Sequence, residues 1–232
     1  MTRTLVVAEM AARDLVRRRG ALMLLFVLPL LFYVVRRDAT GQALRLAGLG
    51  LGWGIATAAV FSGTAARHLE PRLRLSGYRT RHLVGGRLLA LTAVAVAVGA
   101  LYLAIILVDQ DIQRPAVLAL ALGITAAVSV PLGLVLSAIL PRELEAMLVL
   151  LTIFCMQMLL DPVTLPPRFL PFWSLRELAS YIVDLTDGGY LRRGVLHGGG
   201  FALGLMAAFA IMSTVRLRRR PHLRMVPTHQ RA

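Results

Sequence analysis

The polar residues of this chain leave long apolar stretches untouched. Leu46–Ala66 (21 residues), Leu88–Val108 (21), Pro115–Leu140 (26) and Gly194–Val215 (22) contain no Asp, Glu, Lys or Arg. A helix needs about 20 apolar residues to cross about 30 Å of hydrocarbon, so each stretch predicts a membrane-spanning helix. Two shorter runs, Gly20–Val35 and Ala146–Leu160, predict two more spans, at about 20–35 and 144–160. In the first of these, Arg17–Arg19 can snorkel at one end, and Phe32 and Tyr33 suit the opposite interface. Pro29 predicts a kink there.

The segments between the spans have patterns of their own. Residues 4–19 read as an amphipathic helix lying in the membrane interface. Leu5, Ala8, Ala12, Leu15 and Val16 share one face, and Glu9, Arg13 and Arg17 form a row on the other. In the 67–87 loop, Pro71 can start a short helix, Gly77 can end it and Thr80 can cap the next one. In the tight turn Pro141–Glu145, Glu143 and Glu145 suit a helix N-terminus. Residues 161–193 begin with Pro162, Pro166, Pro167 and Pro171. They continue with a capping-box pattern, Ser174 to Glu177, and an apolar stripe of Leu175, Leu178, Ala179, Ile182 and Val183, before Gly188-Gly189. This predicts a short external amphipathic helix, with Phe169, Phe172, Trp173, Tyr181 and Tyr190 at the membrane interface. Residues 216–232 form a basic tail. The fold class expected is therefore an all-α membrane protein. It is one transmembrane domain over 1–232, with six spans, an N-terminal interfacial helix and a short external helix before the last span.

Charge orients this arrangement. The net charge is +14, and all 26 basic residues are Arg. With both termini in the cytoplasm, 18 Arg lie on inner segments and 8 on outer ones (Arg36, Arg37, Arg45, Arg114, Arg168, Arg176, Arg192, Arg193), as the positive-inside rule requires. With 57% apolar residues, the basic excess serves orientation and anionic headgroups rather than nucleic acid.

The chemistry missing from the chain narrows its function. Without Lys it carries neither a phosphate-binding G-x-x-x-x-G-K-[ST] loop nor a Schiff-base site. It has no metal-ligand spacing, and Cys155 reads as a small buried hydrophobe. The long charged segment before the first apolar run leads us to expect no cleavable signal peptide. No ionisable residue sits in the middle of a span, as an ion-coupled carrier would need, because Asp161 and His197 fall at outer ends. Ser62 and His197 fall at opposite ends, so no serine hydrolase site is expected. Gly48, Gly50, Gly52 and Gly54, and the pair Gly200 and Gly204, permit close helix packing, read as packing within the subunit in preference to a dimer face, between which the motif alone does not choose. Gln157, between Met156 and Met158, reads as an amide bonded to a neighbouring helix. No internal repeat supports an inverted-repeat transporter.

Four stretches together resemble the type-2 permeases of ATP-binding-cassette exporters. They are Ala12–Arg19 leading into the first span, Glu70–Arg79 through Gly86-Arg87-Leu88-Leu89, the turn Leu140–Ala146, and the Pro-rich outer segment. Arg87 stands where the family more often has Lys, and Pro71 directly after an acidic residue departs from its pattern. The resemblance implies that the 67–87 loop is a coupling helix resting on a separate ATPase subunit, with Glu70, Arg72, Arg74, Tyr78, Arg142 and Glu143 at the contact. It implies an external gate including Pro166, Trp173 and Glu177. It also implies a substrate path in a homodimer or heterodimer with a similar permease, walled by Trp53, Phe61, Met156 and Gln157. ATP and Mg would sit on the partner, and this chain would hold no catalytic residue, cofactor or metal. The complex would move an amphiphilic or lipid-like substrate out of the cytoplasm, across a bacterial cytoplasmic membrane. The rival reading from another class is a non-transporting multi-span scaffold or assembly protein, and a passive or ion-coupled carrier comes third.

Overall fold

The computed structural model describes residues 2–67, 69–140, 142–160, 166–184 and 186–216. The tail 217–232, Asp161, Pro162 and Pro141 fall outside them. Among the described residues every regular element is helical. Helix α1 (Arg3–Arg17) breaks at Arg18 and continues as α2 (Arg19–Val35). Then come α3 (Thr40–Ala66), α4 (Glu70–Leu75), α5 (Thr80–Asp109), α6 (Pro115–Ile139) and α7 (Glu143–Leu159). A 3₁₀ turn (Pro166–Phe169) precedes α8 (Trp173–Val183) and α9 (Gly188–Arg216).

Among the described residues four helices, α3, α5, α6 and α9, are long and apolar enough to cross a membrane. They outrun the uncharged stretches because polar residues such as Thr40 and Thr80 continue the helix past the apolar part. Helices α2 and α7 have 17 residues each, about 26 Å at 1.5 Å per residue. Helix α7 runs beside α3: the Thr64 hydroxyl donates to Glu143 at one end, and Gln157 lies by Arg45 and Leu49 at the other. From Thr64 back to Arg45 is about 28 Å of helix.

Helices α3 and α6 form the centre, and small residues let their backbones meet. A Cβ added to Gly133 would lie against the Ala56 carbonyl and 2.7 Å from Ala59 Cβ. One added to Gly50 would lie 2.7 Å from Pro29 Cα, where α2 crosses α3. Gly48, Gly50 and Gly52 of the second span therefore pack within the subunit. A Cβ at Gly200 or Gly204 would meet nothing within 4 Å, so that pair has no such intrachain contact. The buried hydroxyls of Thr125, Ser129 and Ser137 donate to carbonyls of their own helix (2.7–2.9 Å), which satisfies them where water is absent.

Pro29 sits inside α2 without ending it. The Tyr102 hydroxyl of α5 donates to the Phe26 carbonyl, with the Leu30 backbone on its other side, and so enters the hydrogen-bond ladder of α2 at the proline. Removing that hydroxyl in Tyr102→Phe is expected to cost about 1 kcal/mol, the usual size of an interhelical bond in a membrane, measurable by thermal unfolding in detergent.

Two caps differ from expectation. Helix α5 begins at Thr80 itself, after Arg79, and no side chain caps it. Helix α8 begins at Trp173 with no side-chain cap, so the Ser174–Glu177 capping box does not form. Packing decides this: Ser174 lies against Gly198 of α9, and Glu177 is bound by Arg193.

Candidate functional site

The helices gather their polar ends at two poles. The near pole holds α1, α4, the start of α5, the α6–α7 turn and the end of α9. Helix α4 is fixed at both ends. Pro71 lies in its first turn. At its C-terminus Gly77 adopts φ +84°, Gly77 N–H donates to Arg74 O (3.1 Å) and Tyr78 N–H to Leu73 O (3.0 Å). That pair of bonds is a Schellman turn, which needs a left-handed residue at Gly77. Arg3 Nη1 donates to Gly77 O (2.6 Å) and its guanidinium lies 5.7 Å from the Tyr78 ring, tying α1 to the same turn.

At the other end of α4, Glu70 is 4% exposed. Arg87 of α5 pairs with it at 2.8 Å, and Arg216 of α9 donates to its second oxygen. Glu70 thus faces the interior, where two guanidiniums balance a carboxylate that could not be buried alone. Nearby, Arg67 donates to Leu140 O (2.6 Å) and joins the two near-pole loops. Burial and the charge of Arg216 hold the Arg67 guanidinium below its ordinary pKa, with Glu70 acting the other way.

All six residues expected at a subunit contact lie at this pole, but they face different ways. Arg72 and Arg142 are exposed. Arg74 donates to the Thr80 hydroxyl and Tyr78 is half-buried. Glu143 accepts from Thr64 and lies 3.6 Å from Arg18, so it is engaged within the chain. Leu75, at the tip of α4, is 89% exposed and was missed from sequence. A cavity of about 330 Å³, bordered by Met10, Asp14, Ser62, Leu69 and Leu73, separates α1 from α4.

Midway between the poles an aromatic row links three elements. Trp53 of α3 stacks on Phe154 of α7 (5.9 Å), and Phe154 packs on Phe172 (4.6 Å). Trp53 and Phe61, eight residues apart, share a half-buried face of α3, and Arg18 lies over Phe61 at 5.7 Å. Met156 and Cys155 are on the exposed face of α7, so Cys155 is not the buried hydrophobe expected. Gln157 is 6% exposed and turns toward Arg45 and Phe172, and its Oε1 has no partner among the described residues. The four wall candidates thus divide: Met156 points out of the bundle, Gln157 into it, and the two aromatics sit at the border.

At the far pole, α8 lies between α3 and α9. Trp173 is buried edge-on to His197 (5.1 Å), and His197 Nε2 bonds Arg168 O (2.8 Å). Glu177 is buried and accepts from Arg193 (2.8 Å). Pro166 opens the 3₁₀ turn. Trp173 and Glu177 therefore clamp α8 to the last helix. Ser62 lies by the near-pole cavity and His197 at the far pole, so the two do not meet.

The described residues, all helical in their regular elements, with four helices apolar and long enough to cross a membrane, a short helix locked at one pole and a clamped helix at the other, have a match among known families. A family model described as ABC-2 type transporter covers residues 12–186 of the 232. The chain belongs to the ABC-2 type transporter family. No curated protein matches it. It is accordingly a multi-pass membrane permease, a transport subunit of an ABC transporter. The matched region ends before α9 and so leaves Arg216, which binds Glu70 of the permease, outside it.

Proposed function

We propose that this permease crosses the membrane six times, with the near pole in the cytoplasm, and exports an amphiphilic or lipid-like substrate using ATP hydrolysed by a separate subunit. The observation that carries the reading is α4: a six-residue helix locked at both ends that turns Arg72 and Leu75 outward. Such a rigid, exposed tip suits transmission of force from a docked protein. The chain has no Lys and hence no phosphate-binding loop of its own. The distribution of Arg supports the orientation, since both termini and the 67–87 segment belong to the Arg-rich side. The lengths of α2 and α7 support six passes.

In this reading Arg72, Leu75 and Arg142 meet the ATPase, while Glu70, Arg74, Tyr78 and Glu143 hold the contact in shape. The cavity between α1 and α4 gives the docked helix room to shift. A second copy or a similar permease faces the exposed side of α7, and Trp53, Phe61 and Met156 line the path between them. Gln157 lies one layer behind that wall. The external gate is α8 with the turn at Pro166, opened by release of Trp173 and Glu177 from α9.

The test is Arg72→Glu combined with Leu75→Asp in the reconstituted complex with its ATPase. Binding of the ATPase should weaken about ten-fold or more, with substrate-stimulated hydrolysis lost and the spans still folded. Unchanged ATPase binding and stimulation would remove the assigned contact. Transport by the purified permease alone would remove the borrowed energy supply altogether.

A further inference from the structure

Helices α2 and α5 are neighbours in the bundle but do not close on each other. Tyrosine struts bridge them: Tyr102 to Phe26 O at mid-height, and Tyr33 to Asp109 at the far pole. Beside these struts lies a groove of about 530 Å³. Its walls are Leu30, Val34, Ala104, Ile105 and Val108. Val34 and Val108 are exposed, so the groove opens sideways. Water gains nothing in such a space, because its walls offer no hydrogen bonds. The far-pole end is different. Arg37 grips Asp109 through Nε (2.9 Å) and Nη2, Gln110 donates to Arg37 O (3.1 Å), and the Thr40 hydroxyl donates to Gln110 (2.8 Å). Arg37 is nevertheless 58% exposed, and the bidentate pair leaves Nη1 for another acceptor. Arg36, also exposed, stands next to it.

We propose that this seam is a phospholipid site: one acyl chain fills the groove and the phosphate rests on Arg37 and Arg36. The reasons are shape and hydrogen bonding together: Asp109 and Asp38 offset the charge of the two guanidiniums, and Arg37 Nη1 and Arg36 remain to donate to a phosphate. A lipid has an apolar chain joined to an anion at the interface, which is the order of surfaces the seam presents from Leu30 to Arg37. The fixed Thr40–Gln110–Arg37–Asp109 network holds the guanidinium at the mouth of the groove before any lipid arrives. The proposal does not depend on the ATPase or on the direction of transport. A chain lodged here would stiffen α2 at Pro29, where its ladder already depends on Tyr102.

The experiment uses the full-length protein in nanodiscs containing phosphatidylethanolamine with a photoreactive group in one acyl chain. Label should concentrate on residues 30–37 and 104–109. Val34→Trp, which fills the groove from an exposed position, should lower it about five-fold, and Leu203→Trp on the exposed face of α9 should not. Equal labelling of α7 and α9, or indifference to Val34→Trp, overturns the site. A diacylglycerol probe with the same chain should label less than the phospholipid, and Arg37→Gln should erase that difference. Equal labelling by both probes in the unsubstituted protein removes the phosphate from the proposal. Efficient disulfide dimers of Val108→Cys in a Cys155→Ser background would show that a second copy covers the groove instead.

Discussion

Glu70→Ala is expected to destabilise the permease by about 3–5 kcal/mol, the cost of leaving a buried charge without its partner. Arg87 is the reason. Its side chain is 6% exposed, so without Glu70 its guanidinium would be left buried away from water. Arg216 can swing out, because its side chain is 32% exposed, so Arg216→Ala should cost only about 1 kcal/mol. The ordering Glu70→Ala, then Arg216→Ala, then the unsubstituted protein should appear directly in unfolding temperatures in detergent.

A double replacement separates stability from coupling. Glu70→Leu with Arg87→Met exchanges a buried ion pair for apolar packing, a change that is often neutral or stabilising. Its unfolding temperature should return close to that of the unsubstituted protein. If the cluster serves only to hold the fold, stimulation of the ATPase should return with it. The position of Glu70 at the first residue of α4, bonded at once to α5 and α9, argues otherwise. A movement of α4 reaches two further helices through this carboxylate. Stability should therefore recover while stimulation stays low, and full recovery of both would reduce Glu70 to a structural residue.

Much of this architecture could be read from the chain because membrane helices announce themselves locally. Long uncharged runs give α3, α5, α6 and α9, and the Pro71–Gly77 bracket gives α4 within a residue or so. Non-local facts were hidden. Glu70 looks like a surface residue until Arg216, 146 positions away, is seen beside it. The facing of Gln157 was unreadable because α7 is apolar on nearly all sides, which leaves its rotation to packing against Trp53 and Phe172. The same chemistry misled at Cys155, which lies on the exposed face of that helix. At Ser174 a good local motif lost to a tertiary one, since the close approach of α8 to Gly198 occupies the side chain that would have capped it. Arg45 fell outside the expected span yet sits inside α3, half-buried beside Gln157.

Gly133→Ala should be harmful although it improves helix propensity. Glycine in a helix interior is about 1 kcal/mol less favourable than alanine, so on propensity alone the change would stabilise α6. The added methyl, however, would lie against the backbone carbonyl of Ala56 and 2.7 Å from Ala59 Cβ. Neither is the end of a flexible side chain, so α3 and α6 must part. Overpacking of this kind costs about 1–3 kcal/mol, enough to outweigh the propensity gain, and Gly133→Leu should be worse. Gly123→Ala supplies the control within the same helix. A Cβ there meets nothing within 4 Å, so only the propensity term remains and the protein should be unchanged or slightly more stable. Opposite shifts of unfolding temperature for the two alanine variants are the expected result. Equal shifts would mean that α3 and α6 do not touch at Gly133, and the central helix pair on which α2, α7 and α8 are built would have to be redrawn.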